Sequence, residues 1–166
     1  MSELFANAER EIISGRFFNY PVDQVFRAWS DPNQIAQWWG PHGFSNTIRR
    51  FDFVAGGEWD FTMNGPDGAK YENVIVFSEI IPQRRIVFEH KPPPHFWTEV
   101  TFDSFGDRTK ISFRMLFDDA ATCEAVKKVA VDGNEQNFDR LAAVLGLGGN
   151  SVGVDPKLDL VLERTL

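Results

Sequence analysis

The sequence predicts an α+β domain in which a curved antiparallel β-sheet wraps a long C-terminal helix, with two short helices after the first strand. Three observations carry this expectation. From Thr47 to Phe117 the dominant apolar period is two, with short connections between the runs. From Ala121 to Leu145 a single long helical pattern follows. Between the first strand and that β-region lie two brief helical patterns. This order is not the alternation of strands and helices that builds a parallel doubly wound sheet, so the helices should gather on one face of the sheet.

The elements follow in order. Glu11 to Phe18 (EIISGRFF) mixes β-branched and aromatic residues and stops at Tyr20-Pro21, as a first strand does. Val22, Val25, Phe26 and Trp29 then repeat at i, i+3, i+4 and i+7, one apolar stripe on a short helix begun by Pro21. Asp31-Pro32-Asn33-Gln34 restarts the helix, with Asp31 as N-cap and Pro32 at the first helical position, and this second helix ends in Trp38-Trp39-Gly40-Pro41. Trp59, Phe61 and Met63 alternate with Glu58, Asp60 and Thr62 in a strand buried on one face, and Asn64 to Gly68 is a dense turn signal. Tyr71 to Ile81 and Arg85 to His90 are the next strands, and the proline run Lys91 to His95 is a rigid loop. Trp97 to Phe105 and Lys110 to Phe117 form a hairpin across Gly106-Asp107, which brings the count to six or seven strands.

The helix from Ala121 to Leu145 is about 37 Å long at 1.5 Å per residue. Stepping by about 100° per residue from Val126 puts Val129, Ala130, Gly133, Phe138, Leu141, Val144 and Leu145 in one broad arc, with Lys128, Asp132, Glu135 and Asp139 opposite. Asn137 at about 20° and Asn134 at about 80° fall inside the apolar arc. A buried amide without partners costs about 1–3 kcal/mol, so each needs a sheet side chain, a water or a ligand. Gly133 beside them costs about 1 kcal/mol against Ala in a helix interior, and a cavity or a close approach to the sheet would account for it.

The bulk properties narrow the function. The chain has 166 residues, a prior for one domain, and its formal charge of −7 argues against nucleic acid and against an anionic membrane surface. Sixteen Phe and five Trp against two Tyr suit a dry interior or cavity. The lone Cys123 has no disulfide partner within the chain, no signal-like N-terminus or membrane span is visible, and a cytoplasmic location is expected. His42, His90 and His95 are too scattered for a metal signature, and no phosphate loop, dinucleotide fingerprint or Ser-His-Asp order appears. No cofactor and no metal is expected.

Four runs then carry a family resemblance. Tyr20 to Pro32 (YPVDQVFRAWSDP) resembles an opening P-x-x-x-V-(F/W)-x-A-(W/F)-(T/S)-D-P; Trp38 to Phe44 (WWGPHGF) resembles WWGP-x-GF; Ala55 to Trp59 (AGGEW) resembles P-G-G-x-W; and Met63 to Gly68 (MNGPDG) resembles M-x-G-P-D-G. Together, in this order, they resemble the activator of Hsp90 ATPase homologue 1-like (AHSA1-like) family of the START/Bet v 1-like, helix-grip superfamily. The resemblance implies a hydrophobic cavity between sheet and long helix, in a superfamily of lipid and small-ligand carriers, polyketide cyclases and a co-chaperone domain. It also places Trp38, Trp39 and Phe44 at the cavity mouth; two adjacent Trp on a helix end do not both face inward, so one of them is expected to be exposed at the rim, as a gate or a contact surface. Many members carry Gly-Trp in the long helix, whereas Gly133 is followed here by Asn134.

The candidate ligand-binding set is Trp38, Trp39, Phe44, Phe53, Trp59, Phe61, Phe77, Phe88, His90, Phe102, Phe113, Asn134, Asn137, Phe138 and Leu141. The strand aromatics serve as core or pocket wall, and His90 shares a strand face with Phe88 and Ile86. Three functions remain open. The first is binding of a small apolar or aromatic molecule between sheet and helix; the second is an Hsp90 co-chaperone-like interaction with a chaperone partner. The third is a cyclase- or hydrolase-like enzyme, which requires two titratable groups converging in the pocket, drawn from Asp52, Glu99, Arg114 and His90.

The helix-grip domain is expected over residues 8–146, with 147–166 a linker and extension. Asp159 to Leu166 (DLVLERTL) is similar to Glu11 to Phe18, so the tail is expected either to begin a second copy of the domain or to pair with a sheet edge.

Overall fold

The computed structural model describes residues 8–147. Strand β1 (Glu11–Phe18) leads into helices α1 (Val22–Ser30) and α2 (Pro32–Trp38), followed by β2 (Ser45–Phe51), β3 (Glu58–Asn64), β4 (Lys70–Ile81), β5 (Arg85–His90), β6 (Phe96–Phe105) and β7 (Arg108–Phe117). Helix α3 (Ala120–Gly146) closes the order. The tail resembling β1 lies outside the described residues. No helix among the described residues is long and apolar enough to cross a membrane.

The seven strands form one sheet in the order β1-β7-β6-β5-β4-β3-β2, each neighbour antiparallel. The chain thus runs back and forth from β2 to β7, and β1 joins at the far edge. Register shifts at Ile48/Arg50 and Phe77/Glu79 break the ladder. Such bulges bend and twist a sheet locally, here enough to curve it around α3.

Local chemistry sets the helix boundaries. The Asp31 carboxylate accepts from the Asn33 amide and the Asp119 carboxylate from that of Thr122, the two N-caps of α2 and α3. Proline at the first turn of α2 removes an amide that the helix could not have paired.

The core fills one end of the concave face. Phe26 of α1 meets Phe53 at 5.8 Å and Phe102 at 5.1 Å, ring centroid to centroid, and Trp29 and Trp38 lie edge to face at 4.7 Å. At this end α1 and α2 fill the space between the sheet and the last turns of α3. The first turns of α3 have no such helix beneath them. Cys123 is buried there, but Val129 is 72% exposed although it lies on the helix's apolar side.

The opposite sheet face carries charge where it might have carried a second core. Val87, Leu116 and Trp97 form a small cluster there. Beside it an ion-pair chain runs from Glu11 to Arg114, Glu99, Arg85 and Glu79 across five strands. Glu99 and Arg114, two candidates for acid–base work, are therefore spent on this face. Asp52 pairs with Arg50, and neither residue meets His90.

Candidate functional site

Beneath the first half of α3 lies a partly open cavity of about 280 Å³. Phe61, Met63, Ile75, Phe88, Phe96, Phe113 and Met115 of the sheet form its floor and walls, Trp39, Gly40 and Pro41 one side, and Val129, Ala130, Gly133, Asn134 and Asn137 of α3 its roof. Asn73 and His90 add a polar corner.

Seven residues of the predicted set lie on this wall: Trp39, Phe61, Phe88, His90, Phe113, Asn134 and Asn137. Trp38 and Phe138 instead border a narrow crevice behind Asn134 and Asn137, together with Trp29 and Phe113. Phe53, Trp59, Phe77, Phe102 and Leu141 pack in the core cluster, and Phe44 stands beside Tyr71 with ring centroids 5.9 Å apart. Several wall residues escaped the sequence reading though the period of two marks them. Met63 shares a strand face with Phe61, Met115 with Phe113, and Asn73 and Ile75 with Phe77.

The expected exposed tryptophan at the rim is corrected. Trp38 is fully buried, its indole N–H donating to the Ala28 carbonyl at 3.0 Å. Trp39 also turns inward, 5.0 Å from Trp59 and 6.3 Å from both Phe88 and Phe113, centroid to centroid. Two adjacent residues on a helix diverge by about 100°. But α2 ends at Trp38, and Trp39 adopts an extended backbone (φ −66°, ψ 130°) that redirects its ring to the same interior.

The turn after α2 is held by α3. The Arg140 guanidinium donates to the carbonyls of Gln37, Trp39, Gly40, Pro41 and Phe44 at 2.8–3.2 Å. The Asn137 Oδ1 accepts from the Gly40 amide at 2.8 Å. Gly40 sits at φ +101°, where a Cβ would meet the Met63 methyl at 2.8 Å, so only glycine fits this turn without strain. Burial lowers the Arg140 pKa. Sequence reasoning missed Arg140, yet the signal was present: at about 320° on the helical projection it is a charge inside the apolar arc.

The polar corner has its own logic. His90 stacks on Phe96 at 4.5 Å, with Nδ1 3.1 Å from the Pro94 carbonyl and Nε2 2.7 Å from the Asn73 amide oxygen. Burial is the main cause that lowers the His90 pKa. A carbonyl only accepts, so a neutral ring carries its proton on Nδ1 and needs the Asn73 NH₂ at Nε2, whereas an imidazolium takes the Asn73 oxygen. The pair thus has one hydrogen-bonding arrangement for each protonation state. Among the described residues His90 is the one titratable side chain on the cavity wall.

A family model described as activator of Hsp90 ATPase homolog 1-like protein matches residues 19–146. The chain belongs to that family. Solved structures agree on the helix-grip fold. A protein from Arthrobacter aurescens is 22% identical, with a TM-score of 0.79 over 87% of this chain and 91% of its own. One from Rhodobacter sphaeroides is 16% identical, with a TM-score of 0.75 over 84% and 94%. The AHSA1 protein of Silicibacter pomeroyi is 18% identical, with a TM-score of 0.67 over 82% and 98%. Among curated proteins no relative matches. The family places the four motifs in one frame: the WWGP run is the segment that Arg140 and Asn137 tie to α3.

Two predictions follow from this geometry. Replacing Arg140 with Met strands five carbonyls and should lower stability by about 3 kcal/mol, with Arg140→Lys intermediate because an ammonium cannot span the same set. Urea denaturation measures both, and near-wild-type midpoints would refute the pinning role.

The second concerns pH. His95 bridges Glu89 at 2.6 Å and Asp118 at 2.9 Å, and its pKa is raised, chiefly by the Glu89 bond. A raised folded pKa gives stability that is present below the unfolded value of about 6.5 and is lost as pH rises through the folded value. His90, whose folded pKa is lowered, works in the opposite sense: its contribution is present above about 6.5 and is lost as pH falls through its folded value. Wild type should therefore lose stability on the alkaline side, and His95→Gln should abolish that loss. Equal slopes for both proteins in midpoints measured from pH 6 to 9 would remove the bridge from the account.

Proposed function

We propose that the chain binds a small apolar or aromatic molecule in the cavity under the first half of α3. The observation that carries this reading is the cavity itself. A protein interior is normally packed without voids larger than a water molecule, and here about 280 Å³ is left among five aromatic Phe and Trp side chains, aliphatic residues and two methionines. The size bounds the occupant. An apolar cavity of about 150 Å³ accepts benzene, and drug-sized ligands occupy about 300–1,000 Å³, so one or two fused rings or a short aliphatic chain fit.

The roof supports the same reading. A Cβ at Gly133 would have Pro41 Cγ at 4.0 Å as its nearest neighbour. The glycine is thus not demanded by a close approach of the sheet, and its cost of about 1 kcal/mol is met by no packing. It leaves room in the cavity. Val129, half lining the cavity and 72% exposed, marks the side from which a ligand enters.

A chaperone partner, the other role the family suggests, has less support, because the tryptophans that would have offered a rim surface are turned inward. A titration against the chaperone tests it independently.

Binding to the folded state alone stabilises it by RT ln(1 + L/Kd), with L the free ligand concentration, so the melting temperature rises with the logarithm of ligand concentration above Kd. Naphthalene should therefore raise the melting temperature of the wild type. Gly133→Leu, which fills the cavity from its roof, should remove the response while keeping the fold, and Gly133→Ala should stabilise the unliganded protein by about 1 kcal/mol. A wild-type melting temperature indifferent to naphthalene would refute the reading.

A further inference from the structure

The cavity wall is apolar except at two places, and one of them is a matched pair. Asn134 and Asn137 sit one turn apart on the same side of α3, with Cβ atoms about 5–6 Å apart, and both border the cavity. Their amide orientations are set by their partners. The Asn137 oxygen takes the Gly40 amide proton at 2.8 Å, so its NH₂ points elsewhere. The Asn134 NH₂ reaches Ser14 Oγ at 3.2 Å and Met115 Sδ at 3.7 Å, and a thioether only accepts, so its oxygen points elsewhere. Among the described residues neither the Asn137 NH₂ nor the Asn134 oxygen has a hydrogen-bond partner, and neither atom is fully occluded.

A third polar group adds to this account. The Trp29 indole N–H is buried without an acceptor and borders the crevice behind the same two asparagines, a crevice with no room for a water molecule. Among the described residues, the unused polar groups on the cavity wall at this end are therefore one donor group, the Asn137 NH₂, and one acceptor, the Asn134 oxygen, while the Trp29 N–H stays behind them in the crevice. In a site otherwise walled by Phe61, Phe88, Phe113 and Trp39, such a set orients a ligand more than it binds it.

We propose that the ligand is a small aromatic molecule whose head group carries a carbonyl beside an N–H or O–H, as a primary carboxamide or an un-ionised carboxylic acid does. The carbonyl accepts from the Asn137 NH₂, the adjacent donor gives to the Asn134 oxygen, and the ring lies on the aromatic floor. Among the described residues no Lys or Arg stands on the cavity wall to neutralise a carboxylate, and the one titratable wall residue, His90, is held by Pro94 and Asn73. The head group is therefore neutral. This rests on the ligand-binding reading above and narrows it.

The test is a calorimetric titration of the full chain with three probes: naphthalene, 2-naphthamide and 2-acetylnaphthalene. The last two have nearly the same shape, but a methyl replaces the NH₂ in the ketone, which leaves the Asn134 oxygen unpaired. The amide should bind about tenfold more tightly than the ketone, the ratio expected for one hydrogen bond and its unsatisfied partner. It should also bind more tightly than naphthalene. Asn134→Leu should bring amide and ketone within about twofold of each other. Equal affinities for all three probes in the wild type would overturn the head-group assignment and leave the cavity as an apolar site. An amide preference that persists in Asn134→Leu would overturn it too, by placing the head group at another wall. Failure of all three to bind would overturn the ligand-binding reading itself. The wild-type probe series decides the matter even if the variant does not fold.

Discussion

The architecture turns on one guanidinium. Arg140 stands on the inner side of α3 and gives its N–H groups to five carbonyls of the segment from Gln37 to Phe44. That segment leaves α2, reverses at Gly40 and enters β2. Irregular backbone there would otherwise expose carbonyls to a half-buried environment with no ladder to satisfy them. Arginine suits the task because its donors are fixed in a plane and its charge survives burial. Asn137, one turn earlier, takes the Gly40 amide, so the turn is held by both its carbonyls and an amide. Helix α3 is thus anchored through its second half, by polar bonds to a loop as well as by apolar packing of Leu141, Val144 and Leu145.

The cavity is a consequence of that asymmetry. With the second half of α3 fixed against α1, α2 and the WWGP turn, the first half extends over the concave sheet with neither α1 nor α2 beneath it. A curved sheet recedes from a straight helix, and the gap lies between the anchored turns and Cys123, which is buried again near the start of α3. The ends of the gap are closed by Cys123 and the α3 N-cap on one side and by Trp39 on the other. Between them the side chains are too few to fill the space. Aromatic rings on β3, β5 and β7 make the floor, and Trp39 packs edge to face on Phe88 and tilted on Phe113, contacts made without help from a ligand. A preformed apolar pocket of this kind loses little entropy when it is occupied.

Most of the fold was legible because it is written in periods. The alternation in Trp59, Phe61 and Met63, the stripe of Val22, Val25, Phe26 and Trp29, and the Gly106-Asp107 hairpin each report local geometry that tertiary packing did not override. The cavity wall was legible only in part. Phe61, Phe88 and Phe113 could be placed on the inner face, but so could Phe53, Phe77 and Phe102. What separates the two groups is which rings the fold brings over them, Phe26 of α1 against Phe53 and Phe102 and the rings of Phe51 and Phe53 against Phe77, a fact of tertiary arrangement with no local signature. Trp39 was misjudged for a related reason. A helical projection assumes that the helix continues, and it stops one residue earlier. Arg140 was overlooked because a charge on an apolar arc reads as an imperfection in the pattern until its partners are known.

The same projection explains why the three polar residues of that arc do different work. Arg140, Asn137 and Asn134 lie at successive one-turn intervals from the anchored half of α3 toward its lifted half. The recorded hydrogen bonds of Arg140 all go to backbone carbonyls, from both terminal nitrogens. Asn137 stands at the border, with its oxygen bound to the turn and its NH₂ left over. Asn134 is one step further from the turn and reaches across to Ser14 of β1 and Met115 of β7, leaving its oxygen unused. The share of each side chain consumed by structure therefore falls along the helix from Arg140 to Asn134, and Gly133, adjacent to Asn134 on the same roof, offers no side chain at all. A sequence selected only for stability would fill these positions with Leu or Ala, each a better helix former that would add apolar contact. Polar and absent side chains on the buried side of a helix are departures from that rule, and they cluster where the sheet falls away.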